Sequence, residues 1–210
     1  IALPAFMTRT TATAIGFIAV LLWALLALLT VGATEVPALQ LNALCFAIGG
    51  LIGVIWTTAS RRWGELRGVP LSIYAFGTLG LFGYHFLYFS ALKAAPPAEA
   101  GLIAYLWPLL IVLFSGLLPG ERLRPLHLLG AAVSFVGAAL IVAKGAAFSG
   151  GHMTGYLLAG ACALTWSSYS VISRRLGAVS SMVVTVYCLA TAVLSLVAHL
   201  ALEDTVWPST

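Results

Sequence analysis

The stretch LSIYAFGTLGLFGYHFLYFSAL, residues 71–92, runs for 22 residues without one Asp, Glu, Lys or Arg. At 1.5 Å of rise per residue, a helix of that length covers about 33 Å, enough to cross the roughly 30 Å of hydrocarbon in a bilayer. Its apolar residues do not alternate with polar ones, as a barrel strand would require. With no water to bond, the backbone groups of such a stretch must bond to one another, which makes it a helix.

The same pattern recurs outward in both directions. Uncharged apolar runs lie at about Thr13–Val31, Gln40–Ala59, Leu71–Leu92, Glu99–Leu118, Leu126–Ala143, Met153–Ser173 and Val179–Leu202, seven in all. The 210 residues are 61% hydrophobic and 8% charged, with a mean hydropathy of +1.07. A soluble domain carries about 25% charged residues, and a chain of this size has too much surface to hide such an excess. The fold class is therefore an all-α membrane protein. A soluble enzyme, a nucleic-acid binder and a disordered tail are excluded.

The charges orient the spans. Arg9, Arg61, Arg62, Arg67, Arg122, Arg124, Arg174 and Arg175 fall in alternate breaks and hold eight of the ten positive charges. The other breaks carry Lys93 and Lys144 with Glu35, Glu203 and Asp204, and Glu99 stands at the mouth of span 4. The excess of arginine marks the cytoplasmic side, which predicts a cytoplasmic N-terminus.

Trp23 and Trp166 stand 143 positions apart, as do Cys45 and Cys188. Each tryptophan sits in the first span of its block and each cysteine in the next. This spacing reads as a duplication with a unit of five spans, residues 1–148, and the start of a second copy, residues 149–210. An odd number of spans inverts the second copy across the membrane, a pattern common in secondary transporters. Three further helices are expected to complete it, ten in all. Gly145, Gly150 and Gly151 are expected to make the joint between the halves flexible.

No Asp or Glu falls at the centre of a span, which argues against a proton-relay pump or an acid-lined cation channel. His85 and His199 are the groups well inside that titrate near neutral pH. The cysteines, Cys45, Cys162 and Cys188, lie in apolar runs and read as small core residues. No metal site, cofactor or catalytic group is indicated. Trp23, Trp107 and Trp166 lie nearer mid-span than the interfacial belts tryptophan prefers. Their indole N–H groups need partners, so they line an aromatic cavity or pack between helices. Tyr84 and Tyr88 share a helix face. Gly77, Gly80 and Gly83 are spaced to admit a neighbouring backbone, and Gly49/Gly53 and Gly130/Gly137 suggest two more close-packed faces. Pro108 removes a backbone hydrogen bond within span 4 and should kink it.

Three segments resemble a known family. They are Tyr88-Phe89-Ser90-Ala91-Leu92-Lys93 leading into Pro96-Pro97-Ala98-Glu99-Ala100, then Pro119-Gly120-Glu121-Arg122-Leu123, then Leu126-His127-Leu128-Leu129-Gly130. Together they resemble the EamA repeat of the drug/metabolite transporter superfamily. Pro96–Ala100 with Tyr105-Leu106-Trp107-Pro108 is similar to the aromatic amino acid exporters of the YddG type. The resemblance implies ten helices in two inverted halves, and export of amino acids, aromatic ones favoured, across the bacterial inner membrane. It implies a central cavity lined by Tyr84, Tyr88, Trp107, Trp166 and Tyr169, with Trp23 and His85 near. It also makes Gly120-Glu121-Arg122 a structural junction. The expected mechanism is alternating access, with Gly80, Gly83 and Pro108 as the points of bending. Multidrug or other small-metabolite transport, and a passive pore, are the alternatives. Expected partners are a small molecule and the lipid bilayer, with no nucleic acid, and the complete protein is expected to act as a monomer.

Overall fold

The structure, a computed structural model, describes residues 8–33, 35–121, 123–142, 150–176 and 179–207. Arg122, Lys144 and Gly145 lie outside the described residues, as does the side chain of Trp23. Helices occupy all the expected spans: α1 (Arg9–Gly32), α2 (Ala38–Ala59), α3 (Leu71–Ala94), α4 (Pro97–Ala104), α5 (Trp107–Ser115), α6 (Pro125–Val142), α7 (Met153–Ser173) and α8 (Val183–Leu202). Span 4 is the one delivered in two pieces, α4 and α5. Ala38–Ala59, Pro97–Ser115 and Val183–Leu202 are each long and apolar enough to cross a membrane, with mean hydropathies of 2.0, 1.8 and 2.1.

By packing, the chain divides into Ile1–Thr34 and Glu35–Thr210. This differs from the 148/149 division expected from the repeat. A sequence repeat and a packing unit need not coincide, and here α2 and α3 bury their faces against α7 and α8 across that division. Among the described residues, the first unit consists of α1. Thr8 caps it by accepting a hydrogen bond from the Thr11 N–H at 3.2 Å.

In the second unit, α2 and α8 form the most extensive helix pair. They run antiparallel. Asn42 near the start of α2 donates to Ser195 near the end of α8 at 2.9 Å, whereas Thr57 near the end of α2 meets Thr185 near the start of α8 at 3.2 Å. Glycines bring the helices close. A Cβ on Gly50 would lie 2.6 Å from Leu189, and one on Gly53 2.7 Å from Thr185. The Gly49/Gly53 face is therefore a packing face, as expected. Gly130 and Gly137 have open space beside them instead, so the second expected face does not form among the described residues. A cysteine at position 49 would place its Cβ 3.7 Å from the Cys188 sulfur. Gly49→Cys is expected to cross-link to Cys188 under mild oxidation, read as a gel-mobility shift with Cys45 and Cys162 replaced by alanine. A parallel pairing of α2 and α8 would give no cross-link.

The helix α3 runs antiparallel to α7 and α4–α5 run parallel to it. The arginine-bearing ends of α2, α3, α6 and α7 consequently gather at one end of the unit. There Arg62 holds Glu65 in a bidentate pair, Ser180 donates to the same carboxylate, and Arg174 pairs with Glu121 at 3.2 Å. The Arg62 guanidinium, followed by the Ser180 hydroxyl, holds the Glu65 carboxyl below its usual range. Of the expected Gly120-Glu121-Arg122 junction, Glu121 makes the ion pair with Arg174 and Gly120 supplies a left-handed backbone at φ 86°.

At the opposite end, three groups noted in the sequence find partners. His199, expected well inside its span, is 2% exposed. It bonds Glu203 through Nδ1 and Thr205 through Nε2, both at 2.9 Å. Glu203, counted among the charges of the outer side, ends α8. It accepts the free N–H groups of Leu39 and Gln40 at 3.0–3.2 Å and so caps the start of α2 from a distant part of the chain. Glu99, expected at a mouth, is 3% exposed and accepts a hydrogen bond from the Tyr156 hydroxyl.

Candidate functional site

Large apolar side chains such as Ile48, Ile52 and Leu200 stay exposed, while Asn42, Thr57, Ser167, Thr191 and Ser195 are fully buried. This polarity suits a lipid surround: small polar groups bond between helices and apolar ones face outward. Trp56 on α2 faces outward in the same way, but one group of aromatic residues collects along the seam of α3 and α7.

Tyr84 and Tyr88, one turn apart on α3, stack at a centroid distance of 5.9 Å with 8° between planes. Trp166 from α7 leans on Tyr84 at 4.6 Å, and Tyr169 follows Trp166 at 5.5 Å. Tyr169 in turn stacks on Phe76 at 5.0 Å. The result is a continuous string Phe76, Tyr169, Trp166, Tyr84, Tyr88. From residue 76 to 88 a helix rises about 18 Å, more than half the hydrocarbon thickness.

Glycines make room for the string. A Cβ on Gly80 would lie 2.3 Å from the Tyr169 ring, and one on Gly77 2.2 Å from the Tyr187 ring. The expectation was a neighbouring backbone at these positions. What enters is a flat tyrosine ring from each facing helix. The helix α3 continues unbroken through Gly80 and Gly83.

His85 lies behind the string. Its Nδ1–H donates to the Leu81 carbonyl at 2.9 Å, which leaves Nε2 free of that bond. Its ring meets Tyr84 and Phe46 edge-on, each at 4.8 Å. Phe46 comes from α2, so the histidine links two helices.

The fourth span closes toward the same group. It breaks at Tyr105 and Leu106, just before Pro108. Pro108 has no N–H to return to the Ala104 carbonyl, which is why the helix stops there, and proline is well suited to the first turn of α5. Trp107 is half-buried, and its carbonyl lies 3.1 Å from the Ser167 hydroxyl of α7. Tyr105 is 50% exposed at the break, and Cys162, one turn before Trp166 on α7, is buried.

The structure thus brings together Tyr84, His85, Tyr88, Trp166 and Tyr169, with Trp107 joined through its main chain. Trp23 lies on α1, and its side chain is outside the described residues. Ser167, Phe46 and Phe76 were not expected in the cavity, and Tyr105 stood only in the segment that carries the family resemblance, not among the cavity residues. Tyr105 carried a signal, its place three residues before a mid-span proline. The others carried none. Chemically, the group offers ring faces, phenol and indole donors and one imidazole. No three His, Cys, Asp or Glu side chains converge on a metal position among the described residues.

Comparison with known proteins adds the following. A profile described as the EamA-like transporter family matches residues 10–143. The chain is 52% identical over 205 residues to the aromatic amino acid exporter YddG of Ancylobacter novellus, covering 96% of this chain and 71% of that protein. It is 27% identical to the protein of the same name from Escherichia coli, covering 80% of this chain and 61% of that one. A crystal structure 51% identical in sequence superimposes with a TM-score of 0.82 over 97% of this chain and 71% of that chain.

Proposed function

The chain belongs to the EamA-like transporter family and is a multi-pass membrane transporter related to the aromatic amino acid exporters, and from this premise we propose that it exports aromatic amino acids. The observation that carries the reading is the aromatic string along α3 and α7 beside the broken fourth span. A substrate ring can pack against Trp166, Tyr84 and Tyr88, each such contact being worth about 0.5–1.5 kcal/mol beyond area burial. Its ammonium group can lie over a ring face, and its carboxylate can take phenol or indole donors. The pocket residues proposed are Tyr84, Tyr88, Trp107, Trp166 and Tyr169, with Trp23 and His85 at its border.

The proposed cycle is alternating access between two inverted halves in the inner membrane, with the N-terminus in the cytoplasm. Two observations support it. The profile match over 10–143 falls within residues 1–148, the segment we read as one repeat, with residues 149–210 proposed as the start of a second. Residues 143 positions apart lie on α2 and α8, which run antiparallel, as inverted copies must. Ten helices in a single chain would complete the cavity. Pro108, with Gly80 and Gly83, would allow the bending.

Efflux of phenylalanine and tryptophan from loaded cells tests this. Saturating efflux is expected, falling several-fold in Trp107→Ala at equal expression. Unchanged efflux in that variant would remove the pocket assignment. Flux that does not saturate would indicate a passive pore, and efflux of flat organic cations in place of amino acids would indicate multidrug export.

A further inference from the structure

We infer that Ser167 is a positioning residue for the pocket: its hydroxyl holds the break in the fourth span against α7 and so sets where Tyr105 and Trp107 stand relative to Trp166 and Tyr84. The inference rests on the proposal that the pocket takes an aromatic amino acid.

Ser167 is fully buried and follows Trp166 in the chain. Its Oγ lies 2.6 Å from the carbonyl of Ala163, one turn back on its own helix, and 3.1 Å from the carbonyl of Trp107 on α5. A helix serine ordinarily gives its proton to the carbonyl four residues back. A second acceptor on a different helix is not part of that habit. One hydroxyl has one proton, so the two carbonyls share it or exchange it.

The second acceptor sits where it matters. The last main-chain ties across the break are Tyr105 N–H to the Gly101 carbonyl at 2.8 Å and Leu106 N–H to the Ile103 carbonyl at 3.1 Å. Beyond them Pro108 donates nothing back to α4. The direction in which α5 leaves the break is therefore set by side-chain packing and by whatever holds the Trp107 main chain. Ser167 supplies that hold from the residue next to Trp166. The same bond thus locates a wall of the pocket on α7 and a wall on the broken span.

A pocket whose walls are in place only part of the time binds more weakly by that fraction. Loss of the hydroxyl should act on apparent affinity while leaving the fold. The reconstituted full-length protein is assayed for tryptophan and phenylalanine transport as wild type, Ser167→Ala and Ser167→Cys. Ser167→Ala is expected to raise KM three- to tenfold, with maximal rate within twofold and an unchanged melting temperature. Ser167→Cys, a weak donor, should fall between. Hydrogen exchange of the backbone spanning residues 101–112, measured without substrate, should speed up several-fold in Ser167→Ala. An unchanged KM in folded Ser167→Ala overturns the inference, and so does a loss of maximal rate that tracks a lowered melting temperature. Absence of aromatic amino acid flux in the wild type would remove the functional reading instead, and the exchange measurement would still decide whether Ser167 holds the break.

Discussion

Leucine in place of Gly155 is expected to leave almost no folded protein. Gly155 lies in the first turn of α7, where that helix passes the end of α3. A Cβ there would stand 2.5 Å from the Ala95 Cβ and 2.8 Å from the main-chain carbon of Ala94 and nitrogen of Ala95. Two of these are backbone atoms and the third is an alanine Cβ fixed to the backbone, so no side chain can rotate out of the way. Overpacking of this kind costs about 1–3 kcal/mol for a small intrusion, which sets the expectation for Gly155→Ala. Leucine adds three more heavy atoms at a point with no space. Against a total stability of about 5–15 kcal/mol, the helix would have to leave its seat. Gly160, on the same helix with open space beside it, is the control: Gly160→Ala should keep or slightly raise stability. Gel-filtration profiles and melting temperatures of the three variants are the measurement. A monodisperse Gly155→Leu protein melting with the wild type would show that α3 and α7 do not meet as described.

The second large effect falls on transport. Trp166 is the joint of the aromatic string, touching Tyr84 at 4.6 Å and Tyr169 at 5.5 Å. Trp166→Ala removes both ring contacts and the wall offered to a substrate ring. Two or three contacts of about 1 kcal/mol each, the middle of the usual range, amount to roughly a thirty- to hundredfold fall in kcat/KM at about 1.4 kcal/mol per tenfold. Trp166→Phe keeps a ring and should lie between. Trp56, 64% exposed on α2, is the control, and Trp56→Ala should transport normally. If efflux rates for Trp166→Ala and Trp56→Ala coincide, the string is packing and not a pocket.

The residues differ in how plainly their roles could be read beforehand. Tyr84 and Tyr88 are one turn apart, and helical spacing alone puts them on one face. Pro108 is legible because its missing N–H acts locally. The glycines of α3 could be read as places of close approach, but not for what approaches them. His199 and Glu203 are spaced to pair on a helix, yet the partner that gives the pair its purpose is the start of α2, more than 160 residues earlier in the chain. Ser167 has no signal at all, since a helix serine can satisfy itself.

The amino-acid sequence by itself determined that this chain is built of membrane helices, roughly where each span lies, and which breaks carry the arginines. Those features follow from the thickness of the bilayer and from the cost of leaving a backbone group or a charge in hydrocarbon, and both act on contiguous residues. Only the tertiary structure decided which helices pair, that Tyr169 fills the gap at Gly80, that Glu203 caps α2, and that Ser167 reaches the break before Pro108. Within lipid all apolar faces are nearly equivalent, so pairing is selected by shape and by single hydrogen bonds between distant residues, and these exist only once the helices have met.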